Sequence, residues 1–137
     1  MNLNIPYLET DNKLLNDAYR IAAGDIVGNI VYYQNGLLTE EKPCMIAGLD
    51  YNTPWTRDTA INIWNALSIL SPEVSKNTLL AVLEEEEGSI YIGGQYWDSI
   101  IWMIGAREYC RFHKDDNFYR LAFEAGRNSV HRLEEDE

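Results

Sequence analysis

The chain has 137 residues, 46% of them hydrophobic and 24% charged, with a formal net charge of -11 at pH 7. That length fits one domain spanning 1–137, since domains usually run to about 100–200 residues, and the apolar share excludes a disordered chain. The acidity, uninterrupted by any basic cluster, argues against nucleic acid and anionic membranes as partners and leaves neutral ligands unaffected.

Two cysteines, Cys44 and Cys110, form no disulfide framework, zinc site or Cys-x-x-Cys redox motif. Free buried thiols are the expected state, with a single bridge left open. Met1 to Arg20 lacks the apolar core of a secretory signal, and no apolar run reaches the ~20 residues of a membrane helix. The chain therefore reads as cytoplasmic, unless a signal has been removed. Nothing in the sequence calls for a metal or another cofactor.

Met1 to Thr10 is a lead-in. Asp11 or Asn12 caps a first helix, in which Leu14, Leu15, Ala18, Ile21 and Ala22 recur at helical spacing. The pattern weakens at Gly24 and Gly28, runs toward Tyr33 and stops at Gln34-Asn35-Gly36. A long loop from about Leu37 to Arg57 follows, and long ordered loops are usually functional.

The second helix, about Asp58 to Leu70, is apolar nearly all round and carries no charge after Asp58, as a helix buried in a larger core does. Ser71-Pro72 breaks it, with Pro72 suited to the first turn of a third, amphipathic helix over Glu73 to Glu86. The run Glu84 to Glu87 reads as a solvated, frayed helix end, because the dipole disfavours acids there. Ser89 to Ile92 is short and β-prone. A fourth, uncharged helix starts near Asp98. Asp115-Asp116-Asn117 then turns and caps a fifth helix, Phe118 to about Leu133, and Glu134 to Glu137 read as a solvated tail.

The helices thus alternate between amphipathic and buried. Short turns between helices favour antiparallel hairpins, and the alternation implies an inner and an outer layer. The sequence predicts an all-α fold, about five helices with long loops, forming part of an (α/α)6 barrel or toroid. Inner helices of such a ring run parallel, so the loops leading into them open on one face.

Those two loops carry the chemistry. Asp50-Tyr51-Asn52-Thr53-Pro54-Trp55-Thr56-Arg57-Asp58-Thr59 crowds aromatics, a guanidinium and carboxylates ahead of the second helix. Gly93-Gly94-Gln95-Tyr96-Trp97-Asp98 repeats the layout ahead of the fourth. A sugar needs flat apolar surface for its C–H face, which Trp and Tyr supply, and fixed donors and acceptors for its hydroxyls, which Arg and carboxylates supply. Tyr51, Trp55, Arg57, Asp58, Gln95, Trp97 and Asp98 are the candidate saccharide-binding residues. A purely structural account stands beside this one: Asp58 and Asp98 as helix N-caps, Trp55 and Trp97 as core plugs, and Arg57 paired with Asp58 or Asp98.

The first motif resembles the Asp-Tyr-x-x-x-Trp-Thr-Arg-Asp-Ser motif of glucoamylases. More broadly the chain resembles the six-hairpin glycosidases, whose catalytic domains are (α/α)6 barrels. The resemblance implies that Arg57 and Asp58 hydrogen-bond the sugar next to the cleaved bond and that Tyr51 and Trp55 line the same subsite. The second loop is similar to the superfamily's but departs from the glucoamylase version. The family places its general acid and base beyond the point this sequence reaches, so no catalytic residue is assigned. The expectation is a glycoside hydrolase-like domain fragment that binds sugar in a partial glycone subsite. With too few helices to close a barrel, the flank carrying Trp64 and Trp102 is expected to be covered by a second copy or by the remainder of the barrel. The alternatives are a non-catalytic helical interaction or assembly module, and another α/α-toroid enzyme such as a polysaccharide lyase.

Overall fold

The computed structural model describes residues 5–135; the first four residues of the lead-in and the last two of the acidic tail lie outside the described residues. Helix α1 (Lys13–Gly28) begins where the Asn12 side chain accepts hydrogen bonds from the Leu14 and Leu15 amides, so Asn12 is the cap. None of its residues is buried.

The expected continuation of this helix to Tyr33 does not form. Ile30–Tyr33 is instead a strand, β1, paired antiparallel with β2 (Lys42–Met45) in the register Ile30↔Met45 to Tyr33↔Lys42. Ile-Val-Tyr-Tyr is β-branched and aromatic, which suits a pleated surface better than a helix. The supposed open loop therefore contains a strand. Between the strands, Gly36 adopts φ +59 and lies so close to the end of α4 (Pro72–Ala81) that a Cβ would meet the Leu80 and Leu83 carbonyls at 2.6 Å.

That approach completes α4. The last carbonyls of a helix lack partners within it. Here the Leu37 amide donates to the Leu80 carbonyl and Asn35 Nδ2 to the Ala81 carbonyl, both at 3.1 Å. The Met45 amide donates to Thr78 Oγ1 at 3.0 Å, and Asn77 Nδ2 to the Pro43 carbonyl at 3.2 Å. The β1–β2 hairpin is thus strapped along α4.

Helix α2 (Thr56–Asn62) runs without a break through a π-helical turn (Ile63–Leu67) into α3 (Ser68–Leu70). Ser71 is extended at φ -154 and ends the run. Its Oγ caps α4 at the Val74 amide, and Pro72 occupies the first turn as its fixed φ allows. The third helix stops at Ala81, short of the expected Glu86. Leu83–Glu86 forms β3, antiparallel to β4 (Ser89–Ile92), across a turn in which Glu87 and Gly88 have φ 50 and 80. Two positive φ values are what a tight hairpin turn of matching twist requires. The acidic run is therefore a strand rather than a frayed helix end. Helices α5 (Asp98–Phe112) and α6 (Asp116–Glu135) complete the fold, with Asp115 Oδ1 accepting from the Phe118 amide.

The all-α expectation is overturned by the two small antiparallel sheets, and no barrel forms among the described residues. The fold is mixed: helices packed around a main core, with two β-hairpins, the first over a smaller cluster of Leu38, Cys44 and Ala81. The core joins Ile63, Leu67, Val74, Leu79, Leu83, Trp102 and Phe118. Trp102 is wholly buried, 6.4 Å from the Phe118 ring, and its Nε1–H donates to the Leu79 carbonyl at 3.3 Å. Trp64, expected on the same flank, is 54% exposed.

Contacts fix the helix directions. Arg57 meets Asp98, a Cβ on Gly105 would lie 2.7 Å from Ala60 Cα, and His113 Nε2 donates to the Ser68 carbonyl at 2.6 Å. The α2–α3 run and α5 therefore lie side by side in the same direction. Helix α4 runs against α5, with Lys76 at Asp115 and Leu79 at Trp102. Helix α6 also opposes α5, from Phe118 beside Tyr109 to Gly126 against Met103 and Ser129 bonded to Ile92. The parallel pair brings the loops before α2 and α5 to one end of the molecule.

Candidate functional site

At that end the two loops are tied together. Thr56 Oγ1 donates to the Gly93 carbonyl at 2.7 Å. Gly94, at φ +111, leaves room for Asp98: a Cβ there would meet Asp98 Oδ2 at 2.9 Å and Thr56 Oγ1 at 3.1 Å. Only glycine adopts this conformation readily and also allows such an approach.

The centre of the site is Arg57. Its Nη2 and Nε both donate to Asp98 Oδ1, at 3.0 and 3.1 Å. Its guanidinium carbon lies 3.9 Å from the centre of the Trp97 ring. The other Asp98 oxygen, Oδ2, accepts from the Gln95 amide at 2.9 Å. Both oxygens of this buried carboxylate are engaged, so its charge is compensated as burial demands. Arg57 is held by an ion pair to Asp98 and by contact with the Trp97 ring. Its side chain stays 39% exposed, leaving the remaining N–H groups of the planar fork free to donate.

Around this node the aromatics are open to solvent. Trp55 is 52% exposed and Trp97 50%. Neither is a core plug. Tyr51 packs edge-on against Trp55 with ring centres 5.1 Å apart, an arrangement that aromatic quadrupoles favour. The structure brings Arg57, Gln95, Trp97 and Asp98 into one contact set and makes Tyr51 and Trp55 a separate pair. Asp58 lies in the first turn of α2, where the helix dipole favours an acid, and joins neither set by an ion pair among the described residues.

Neither Asp58 nor Asp98 is an N-cap. The caps of α2 and α5 are Trp55 and Trp97, which make no side-chain cap bond. Asp98 reaches back to Gln95 instead. The last part of the structural account does hold: Arg57 pairs with Asp98 across the two loops. Sequence reasoning passed over Thr56 and Gly94, which fasten the loops together. The Gly93-Gly94 pair was the visible signal, since adjacent glycines mark a close backbone approach.

Scans against protein-family models, curated proteins and solved structures returned no match. No helix among the described residues is long and apolar enough to cross a membrane. No cluster of His, Cys, Asp and Glu that could hold a metal ion occurs among them. Cys44 and Cys110 are free thiols; burial pushes the Cys44 thiol up to about 12, far from the reactive range.

Proposed function

We propose that this chain is a saccharide-binding, glycoside hydrolase-like domain whose two aromatic loops form an open shelf for one neutral sugar. The observation that carries the reading is the clamped guanidinium: Arg57 lies over the Trp97 ring, is pinned by Asp98, and keeps a part-exposed side chain beside half-exposed aromatic rings. A preorganised planar donor beside aromatic surface recognises hydroxyls and ring C–H bonds with little ordering cost. The net charge of -11 favours a neutral ligand over an anionic one, which argues against the polyanions that lyases cleave. The likeness of the first loop to the glucoamylase motif points the same way. Asp98 is fully engaged and is no free acid or base, and no pair of carboxylates is assigned to hydrolysis.

The test is isothermal titration calorimetry with a panel of neutral monosaccharides and disaccharides. Tryptophan emission is a weaker readout, because removing Arg57 itself changes the surroundings of Trp97. Arg57→Ala is expected to abolish binding. Since it also leaves Asp98 buried without its partner, Arg57→Lys is the companion variant. It keeps a charge for Asp98 but loses the stacked fork, and is expected to weaken binding strongly while the fold persists. Sugar binding equal to wild type in the folded Arg57→Lys protein would refute the role given to the guanidinium.

A second reading, assembly through an apolar flank, is favoured by one observation. Ile61, Trp64 and Ile69 on the α2–α3 run and Ile100 and Ile104 on α5 are all more than a third exposed. Apolar surface of this kind commonly marks an interaction site. Sedimentation velocity across a concentration series tests it: a self-associating wild type that becomes monomeric with Trp64→Glu supports assembly, and a monomer throughout rejects it.

A further inference from the structure

Behind the loop that carries Gln95 and Trp97 lies a groove that the shelf does not use. It encloses about 550 Å³ between the β3–β4 hairpin, residues 94–96 and the last turns of α6. That is within the ~300–1,000 Å³ of small-molecule sites. Its working side chains are Glu84, Tyr91, Gln95, Tyr96 and Arg132.

Arg132 is built in. It pairs with Glu86 through both arms, Nη1 to Oε1 at 3.3 Å and Nη2 to Oε2 at 2.7 Å. Its guanidinium carbon sits 3.4 Å from the centre of the Tyr91 ring. The group is fixed in place and its charge is balanced by Glu86, so it offers directed N–H donors rather than a free cation. Glu84 lies against Gly93, where a Cβ would come within 2.6 Å of Oε1, and makes no ion pair among the described residues. With Glu84 and Glu86 against one Arg132, the groove is net negative and disfavours phosphates and uronates. Fixed donors, a carboxylate acceptor and the rings of Tyr91 and Tyr96 suit a hydroxyl-rich neutral ligand with an apolar face.

The groove and the shelf share one wall. Gly94 lines the groove, yet its backbone approaches Asp98 Oδ2 and Thr56 Oγ1 on the shelf side. Gln95 borders the groove while its amide holds the Asp98 carboxylate that clamps Arg57. The ridge between the two therefore runs through Gly94 and Gln95.

We infer that the groove is a second saccharide subsite, and that the ligand is a neutral oligosaccharide crossing the 94–96 ridge from the shelf. The inference rests on the shelf reading for its first sugar. It assigns Tyr96 and Glu84 to chain length rather than to the terminal unit.

The experiment is calorimetry with neutral gluco-oligosaccharides of increasing length, α-linked and β-linked, on wild type, Tyr96→Ala, Glu84→Gln and Arg57→Lys. Tyr96 and Glu84 are exposed, so both variants should fold, as melting curves would verify. In wild type, affinity is expected to rise by at least about tenfold from one unit to the longer chains, the gain that one stacking contact and one good hydrogen bond supply. Tyr96→Ala and Glu84→Gln should erase that gain while leaving the shortest ligand unaffected. Affinity independent of length, or a length gain that survives in both variants, overturns the groove subsite. Short-ligand binding that survives Arg57→Lys overturns the shelf instead, and leaves the groove standing if the two groove variants still remove the gain. No heat with any saccharide overturns both.

Discussion

The same substitution, glycine to alanine, should act with opposite signs at two helical positions. Gly105 sits where α5 touches α2, and an added Cβ would lie 2.7 Å from Ala60 Cα, 3.0 Å from its carbonyl oxygen and 3.1 Å from its Cβ. These are backbone or near-backbone atoms, so no rotamer change relieves the clash and the two helices must part. Parting them disturbs the packing of the buried Trp102 and the span between Arg57 and Asp98. Overpacking a tight site costs about 1–3 kcal/mol, and a rigid contact this short belongs at the upper end. Alanine returns about 1 kcal/mol of helix propensity, which leaves Gly105→Ala destabilised by about 2 kcal/mol. Gly24 in α1 has nothing within 4 Å of the corresponding point. Gly24→Ala should gain up to about 1 kcal/mol from propensity alone. Urea unfolding followed by far-UV circular dichroism measures both. With a slope of about 1–3 kcal/mol per molar urea, the Gly105 variant should unfold roughly 1 M earlier than wild type and the Gly24 variant slightly later. Stabilisation by both substitutions would show that α2 and α5 do not touch at Ala60, and the parallel pair that aligns the two loops would fall with that contact.

Trp102→Ala should destabilise the fold by about 3–5 kcal/mol, since it empties the centre of the core and leaves the Leu79 carbonyl without its donor; a loss under about 1 kcal/mol in the same urea assay would contradict that placement. Asp115 gives a pH dependence. The Lys76 ammonium first, and the Phe118 amide second, hold its carboxyl below the ordinary value of 3.8. A depressed carboxyl contributes its stability above the unfolded value, and the contribution is lost as pH falls through the folded value. Asp115→Asn keeps an oxygen for the Phe118 amide and loses the charge, so it should cost up to about 1 kcal/mol at neutral pH, the worth of a partly screened pair with Lys76. The difference from wild type should shrink as pH falls past 3.8 and disappear once it is below the lower folded value, and a constant difference across the titration would refute the cause assigned.

The helices were legible where local chemistry decides. Asp11 or Asn12 as a cap and Pro72 with its fixed φ mark two helix starts, and the starts of α2 and α5 followed from uncharged apolar runs; the cap that Ser71 supplies to α4 was not expected. Of the strands only β4 was legible, in the β-prone run Ser89 to Ile92; the others were not, for two physical reasons. Ile26 to Tyr33 continues an apolar pattern at helical spacing, so the change to strand at Ile30 depends on pairing with Lys42–Met45, a partner outside the local window. Leu79, Leu80, Val82 and Leu83 likewise extend the helical pattern of α4. The chain turns into β3 because Leu83 enters the core and Glu86 meets Arg132 from the far end of the chain. The acidic run Glu84 to Glu87 is solvated as expected, and of its four carboxylates only Glu86 finds an ion pair among the described residues. At the site, residue types identified Arg57, Trp97 and Asp98 as candidates, but the choice between ligand contact and internal pairing lay in geometry. Asp98 went to internal pairing, and Arg57 retained exposed donors. The groove at Arg132 had no signal at all, because Glu84, Tyr91 and Arg132 meet only through the hairpin and α6.

The strap of β1–β2 along α4 also bears on how the chain comes to be folded. The groups that close the end of α4 are supplied by residues 35–37, synthesised well before the helix they complete. During synthesis from the N-terminus, α1 and the β1–β2 hairpin emerge before the helix that the hairpin packs on, and a two-stranded hairpin alone is marginal in water. They must wait until Ala81 has appeared, and the loop between them must then close at an entropic cost. Helix α4 is thus the point at which an early and a late part of the chain become one cooperative unit. A ribosome stalled before Ala81 should hold an N-terminal segment open to proteases, and one stalled well past it should hold a protected segment.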